Sequence, residues 1–259
     1  MEIIIDKKKV QNIEAIEGFL TRNEGLLLYS LARMQKPHST IVEVGSWKGK
    51  STAWLSHGMI DGGSSGSRVV AVDHGIGDSG TGPENSRGAF LQNMQKSGVS
   101  NVIDPIFKKS EDAIKGWQKP IDLLFIDAAH DFENVKKDFL WEEYLSDGGL
   151  IVLHDGLEAV LGPAGMYIQR VLNSGDFKNF GTVDSILFAQ KTAGHKGNIL
   201  RRKILTSLLR FNLILGGFYN RSPKQGFRKT IMRILMKSIL RKIIGLVANY
   251  RLDNKFIIV

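Results

Sequence analysis

The chain has 259 residues, enough for one α/β domain and an appendage, with 42% hydrophobic and 24% charged residues, ordinary for a globular protein. It has no cysteine, which excludes a disulfide scaffold and a thiolate zinc site and fits the cytosol. The net charge of +9 is unevenly held: residues 1–195 carry 20 Lys/Arg against 25 Asp/Glu, and residues 196–259 carry 15 against the single acid Asp253. The main body is therefore mildly acidic, and nucleic acid is not expected in its cleft.

In chain order, the first residues, MEIIIDKKKVQNIE, place a short apolar run before the basic ones and offer no small-residue cleavage site, so no signal peptide is read there. Residues 10–35 read as helical, with Ile13, Ile16, Phe19 and Leu20 and then Leu26, Leu27, Tyr29, Leu31 and Ala32 at helical spacing, ended by Pro37. Strands are predicted at 40–45, 68–73, 102–107 (interrupted by Pro105), 121–126 and 149–154, with Asp147-Gly148-Gly149 as a tight turn into the last. Helical patterns fall between them near 51–60, 86–97, 109–117 and 132–145. A further helix is expected at 164–174 and an antiparallel hairpin at 178–190. Apolar strand runs separated by helices predict a doubly wound, mostly parallel α/β sheet with ligands at the carboxyl ends of its strands. Residues 74–88, with five glycines and a proline, read as a linker or a lid beside that pocket. The division expected is N-terminal helices (1–38), a Rossmann-like domain (39–192) and a basic helical extension (193–259).

After the first predicted strand comes Glu43-Val44-Gly45-Ser46-Trp47-Lys48-Gly49-Lys50-Ser51-Thr52. Gly49-Lys50-Ser51 imitates the end of a P-loop, but only three residues separate the two glycines where that cradle needs four, and Trp47 is bulky. The dinucleotide fingerprint fails as well, because position 47 is not glycine. The segment does satisfy E-x-G-x-x-x-G-x-S. Gly45 and Gly49 let backbone approach a ligand around Ser46, the helix start at Ser51 and Thr52 offers N–H groups to a carboxylate, and Glu43 can accept from an ammonium. The methionine end of S-adenosylmethionine carries both groups. Asp73, followed by His74, ends the second strand and is placed to accept from ribose hydroxyls. Ser110 and Glu111 follow the third strand, where an adenine edge would lie.

Over residues 15–190 the segments EGLLLYSLA, IVEVGSWKGKST, VVAVDHG, IDLLFIDAAHDFENVKKDF and LSDGGLIVLHD resemble the class I S-adenosylmethionine-dependent methyltransferases. Within them the chain is most similar to the sugar and small-molecule O-methyltransferases related to the catechol O-methyltransferases. The resemblance implies a seven-stranded Rossmann-like sheet and an O-methylation assisted by Mg²⁺ or another divalent ion. Asp127 and Asp155 end the fourth and fifth predicted strands, and two carboxylates side by side suit such an ion. The ion would acidify an acceptor hydroxyl. The resembled catechol enzymes add an amide ligand after the second carboxylate, where this chain has Gly156, and a lysine base where it has His130. His130 is the candidate general base. By strand alternation His154 is expected to face away from Asp155, in a supporting role. Asp138 and Trp141 read as scaffold.

The stretch 204–219 is sixteen residues long and contains Arg210, too short to span a bilayer. Farther on, Arg233, Lys237 and Arg241 recur at i, i+4 among apolar residues, the composition of an interfacial helix drawn to anionic lipid. A dimerisation or partner surface is the second reading of the tail and a nucleic-acid arm the third. The expectation is a cytoplasmic enzyme, peripheral at the inner face of the membrane, acting on a glycan-like acceptor. The alternatives are a P-loop-like NTPase and a catalytically silent, membrane-associated protein of the same fold.

Overall fold

The structure is a computed structural model that describes residues 2–78, 83–192, 194, 198–221, 231, 235–248 and 255–258. The elements in chain order are β1 (Glu2–Ile5), α1 (Lys7–Glu14), α2 (Arg22–Arg33), β2 (Thr40–Val44), α3 (Lys50–Asp61), β3 (Arg68–Asp73), β4 (Ile76–Asp78), β5 (Pro83–Asn85) and α4 (Ser86–Lys96). There follow β6 (Ile103–Phe107), α5 (Ser110–Ala113), β7 (Ile121–Ile126), α6 (Phe132–Asp138), β8 (Leu145–Leu153), α7 (Leu161–Met166), β9 (Phe177–Val183), β10 (Ile186–Lys191), α8 (Ile199–Arg221), α9 (Arg241–Ala248) and β11 (Lys255–Ile258).

Seven strands form one sheet in the order β6-β3-β2-β7-β8-β10-β9, parallel except for β10, which runs antiparallel to both its neighbours. Successive strand residues point to opposite faces, and both faces are covered. Ile41, Val69, Leu123 and Val152 pack under α1–α4, while Val42, Val70, Leu124 and Ile151 pack under α6–α9. The order reverses at β2, which lies between β3 and β7, and an open α/β sheet opens a crevice at such a switch point. Pro105 interrupts nothing, because β6 is the sheet edge and its missing N–H has no partner to lose there.

Several boundaries differ from expectation. The predicted helix over 10–35 is two helices, and Thr21 starts the second with a reciprocal capping box to Glu24. Phe19, expected on an apolar helix face, lies between them and is 83% exposed. The pattern near 109–117 yields only the single turn of α5, and α6 passes into a 3-10 segment at Phe139–Tyr144. β8 begins at Leu145, so Asp147-Gly148-Gly149 lies within the strand, where the register to β7 shifts. The stretch 74–88 contains the small β4–β5 hairpin, and its residues 79–82 lie outside the described ones.

The basic extension packs onto the sheet. Leu205 and Leu209 of α8, with Leu240, Ile244 and Ala248, belong to the same buried cluster as Val42, Ile126 and Leu153. At the other end of the chain, β1 pairs in parallel with β11, Glu2 opposite Lys255. Arg233 and the side chain of Lys237 lie outside the described residues. Arg241, expected on a lipid-facing row with them, instead turns inward and pairs with Glu158. Among the described residues no helix is long and apolar enough to cross a membrane.

Candidate active site

A cavity of about 1060 Å³ opens at the switch point, lined by the loop after β2, the tips of β3, β7 and β8, the 17–21 segment and the β9–β10 turn. The loop after β2 is held open by backbone conformations that few residues adopt. Gly45 (φ +95°) and Gly49 (φ +90°) are left-handed, and so is Trp47 (φ +40°). A Cβ on Gly45 would lie 2.5 Å from the carbonyl oxygen of Asp127, so glycine there lets the β2 and β7 tips meet. The ladder runs on past both strands: Gly45 N donates to Val72 O (2.8 Å) and Asp127 N to Val44 O (2.8 Å).

Glu43 departs from expectation. It shares the face of Ile41, is fully buried, and its carboxylate accepts from the hydroxyls of Ser51 and Thr52. Burial, outweighing those two hydrogen bonds, pushes its pKa up to about 8. Glu43, Gly49 and Thr52 do not line the cavity, whereas Gly45, Ser46 and Ser51 do. Glu43 is thus the fastening beneath the loop, and the loop and helix start lie between it and any ligand. Lys50, the lysine of the false P-loop, donates to Gly18 O (3.3 Å), and Lys48 pairs with Glu17 (2.7 Å), so both tie the 17–21 segment down over the loop. Phe19 stacks on Trp47 at the mouth, with ring centroids 5.6 Å apart.

Asp73 lines the cavity and orders two backbone amides, accepting from Trp47 N (2.9 Å) and Gly75 N (2.7 Å). Each of its oxygens keeps a lone pair for a ligand hydroxyl. His74, Ser110 and Glu111 also line the cavity, where Ser110 Oγ accepts from Trp141 Nε1 (3.0 Å) and Glu111 pairs with Lys137 (3.2 Å). Asp138, read from sequence as scaffold, lies on the same wall. Burial pushes its pKa up to about 6, and its Oδ2 has no hydrogen-bond partner.

At the other end of the cavity Asp127, Asp155 and His130 converge as expected, with His130 Nε2 2.7 Å from Asp155 Oδ2. His154 joins them and does not face away. β8 ends at Leu153 and Asp155 turns the chain with φ +54°, so alternation lapses and both side chains reach the same space. His154 Nδ1 is 3.0 Å from Asp127 Oδ1 and 3.4 Å from Asp155 Oδ2, and its Nε2 is 3.4 Å from Glu24 Oε2. One ligand atom each from Asp127, His154 and Asp155 lies within 4.8 Å of the others, a donor set that fits a divalent cation. Burial favours a neutral imidazole at His154, but Asp127, Asp155 and Glu24 together outweigh it and push the pKa up to about 12. Burial would raise Asp155, but His130 and His154 hold it below the usual carboxylate range, whereas burial raises Asp127 against the pull of His154. His130 is raised, chiefly by its hydrogen bond to Asp155. Arg241 from the extension also lines the cavity, paired with Glu158, and its Nε is buried without a hydrogen-bond partner.

Of these, sequence reading missed Arg241 and the Phe19–Trp47 stack, for which it held no signal, and misplaced His154. A histidine directly before the terminal aspartate of a strand was the one available clue.

Residues 42–156 match the family described as a methyltransferase domain. Solved structures share the architecture. Cofactor-bound Rv0187 from MTB is 21% identical with a TM-score of 0.56, covering 74% of this chain and 89% of that one. The O-methyltransferase from Bacillus cereus in complex with SAH is 19% identical with a TM-score of 0.55, covering 72% and 92%. The O-methyltransferase TomG from Streptomyces achromogenes, involved in tomaymycin synthesis and in complex with SAM, is 17% identical with a TM-score of 0.50, covering 72% and 87%. At these identities the likeness is one of fold. Residues 42–156 thus match a methyltransferase domain, and the chain shares its fold with these solved methyltransferase structures.

Proposed function

We propose that the chain methylates a hydroxyl oxygen of a sugar or glycan-like acceptor with S-adenosylmethionine, assisted by a divalent cation, at an anionic membrane surface. One observation carries the reading: Asp73 and the 45–51 loop share a single cavity with Asp127, His130, His154 and Asp155. A nucleoside held at the first set brings its sulfonium toward the second. The cavity's other lining groups at that end include Asp131, Asn134, Glu158, Asp184 and Ser185, which accept hydrogen bonds from a polyhydroxylated acceptor.

In the transfer, the bond from sulfur to methyl breaks as the bond from acceptor oxygen to methyl forms, leaving the thioether and one proton. A cation on Asp127, His154 and Asp155 would supply the acidification of the acceptor hydroxyl. His130 takes the proton. Asp155 accepts from its Nε2, which places the neutral imidazole's hydrogen there and leaves Nδ1 as the basic atom. Most of the acceleration then comes from holding oxygen and methyl in line.

The membrane part of the reading rests on the outward face of α8, where Ile204, Phe211, Ile214 and Phe218 are 40–56% exposed beside exposed Lys203 and Arg210. An outward helix face of apolar and cationic residues suits anionic lipid.

The test is calorimetry with S-adenosylhomocysteine, followed by transfer of labelled methyl to a panel of sugars with and without a chelator. Binding with chelator-sensitive turnover supports the proposal. Failure to bind S-adenosylhomocysteine ends it, and binding without turnover on any hydroxylated acceptor favours a silent relative of the fold.

A further inference from the structure

Two carboxylates and water hold a hard cation loosely, and the residue after Asp155 offers no help. Gly156 has no side chain and no room for one, because a Cβ there would lie 2.6 Å from Leu187 Cδ1 and 2.7 Å from Leu187 Cγ. Leu187 is itself 2% exposed within the sheet core and has nowhere to go.

His154 stands where a third donor is needed. Its side chain is 7% exposed, and Nδ1 is directed between Asp127 and Asp155, yet it makes no aligned hydrogen bond to either. A buried nitrogen that faces two carboxylates at ion-pair distance without an aligned hydrogen bond is one that a cation seated between them would satisfy, taking the place of its proton. Its separations from the two carboxylates, 3.0 and 3.4 Å, are those of adjacent ligands on one ion. With metal–ligand bonds of about 2.1 Å, ligands at right angles stand about 3.0 Å apart. Asp127 and Asp155 are 23% and 20% exposed toward the cavity, which leaves coordination positions for water and an acceptor oxygen.

The other imidazole nitrogen is also held. Glu24 Oε2 lies 3.4 Å from His154 Nε2 and accepts from Thr21 N (2.9 Å), while Oε1 accepts from Ser185 N (2.9 Å) and Ser185 Oγ (2.6 Å). The residue that caps α2 therefore anchors the β9–β10 turn and backs the histidine at once. A carboxylate behind a ligating histidine orients the ring and raises its basicity.

We propose that Asp127, His154 and Asp155 form a mixed nitrogen–oxygen site for a first-row transition ion, with Glu24 as the positioning residue behind His154. An imidazole donor shifts the preference from Mg²⁺ toward Mn²⁺, Fe²⁺ or Zn²⁺. The inference rests on the metal-assisted reading above and names the ligand set and class of ion for that same site.

The experiment uses the full chain, stripped with a chelator and then titrated with Mn²⁺ while free Mn²⁺ is followed by electron paramagnetic resonance. A sample carrying ¹⁵N-histidine is examined by electron spin echo modulation, and S-adenosylhomocysteine binding is measured on every sample without metal. One Mn²⁺ per chain with ¹⁵N modulation is expected, displaced by Zn²⁺ more readily than by Mg²⁺. E24Q should weaken Mn²⁺ about 10–100-fold and keep the modulation. H154Q should weaken it by roughly 100-fold or more and lose the modulation. No Mn²⁺ binding at millimolar concentration, Mn²⁺ binding without ¹⁵N modulation, or displacement by Mg²⁺ as readily as by Zn²⁺ would overturn the proposal. Those outcomes leave the methyltransferase reading intact if S-adenosylhomocysteine still binds, whereas loss of that binding in the unaltered chain sinks the reading itself.

Discussion

Replacing Leu209 with alanine separates two views of the extension. If residues 196–259 were only an adhesive tail, L209A would leave folding untouched. In the structure Leu209 is 1% exposed and sits in the cluster that buries Val42, Ile126 and Leu153. Burying a leucine side chain is worth about 1.5–3 kcal/mol, and the cavity left by its loss raises the expected cost to about 2–5 kcal/mol. Ile244, also 1% exposed and in that cluster, predicts a similar loss for I244A. Folded domains hold only about 5–15 kcal/mol in all, so deleting the whole extension should leave no stable sheet domain. Urea unfolding followed by the fluorescence of buried Trp141 measures the change. On the same helix Phe211 is 49% exposed, and F211S should shift stability by less than about 0.5 kcal/mol. The vesicle assay reverses the order: F211S with F218S should lose cosedimentation with anionic vesicles, and folded L209A should keep it. An L209A protein within about 0.5 kcal/mol of the parent would refute the packing argument. Unchanged vesicle binding by the double variant would refute the docking face.

Three further outcomes are expected. D73N should weaken S-adenosylhomocysteine roughly 10–100-fold, the worth of hydrogen bonds to a charged acceptor, as read by calorimetry. H130N should lower kcat by about 10²–10⁴ while S-adenosylhomocysteine affinity stays level, because in the proposed reaction the histidine takes the acceptor's proton and holds no part of the cofactor. His57 sets an acid limit on stability. Burial, with Lys9 nearby, lowers its pKa from 6.5 to about 4, so the unfolded chain binds the extra proton between those values. Stability should fall as pH drops from about 6.5 to about 4, and urea midpoints across that window should fall less for H57Q.

The parallel strands were legible because both their faces are buried: RVVAVD carries charge only at its ends, Arg68 and Asp73, IDLLFI only at Asp122, and β3 and β7 match their predicted ends residue for residue. The glycine loop after β2 was legible because chain direction and glycine spacing are local properties, and the carboxylates at the tips of β7 and β8 followed from strand order. Three things were settled only in space. Glu43 is sealed under Ser51 and Thr52 because strand alternation turns it to the α3 side. His154 reaches the site because the chain leaves β8 one residue earlier than predicted, which no periodicity marks. Arg241 arrives in the cavity from 83 residues beyond Glu158, carried by a helix that a linear reading assigns to a membrane. Composition identifies such a helix as amphipathic. Which of its faces turns inward depends on whether a bare sheet face lies within reach, and only the folded chain supplies one.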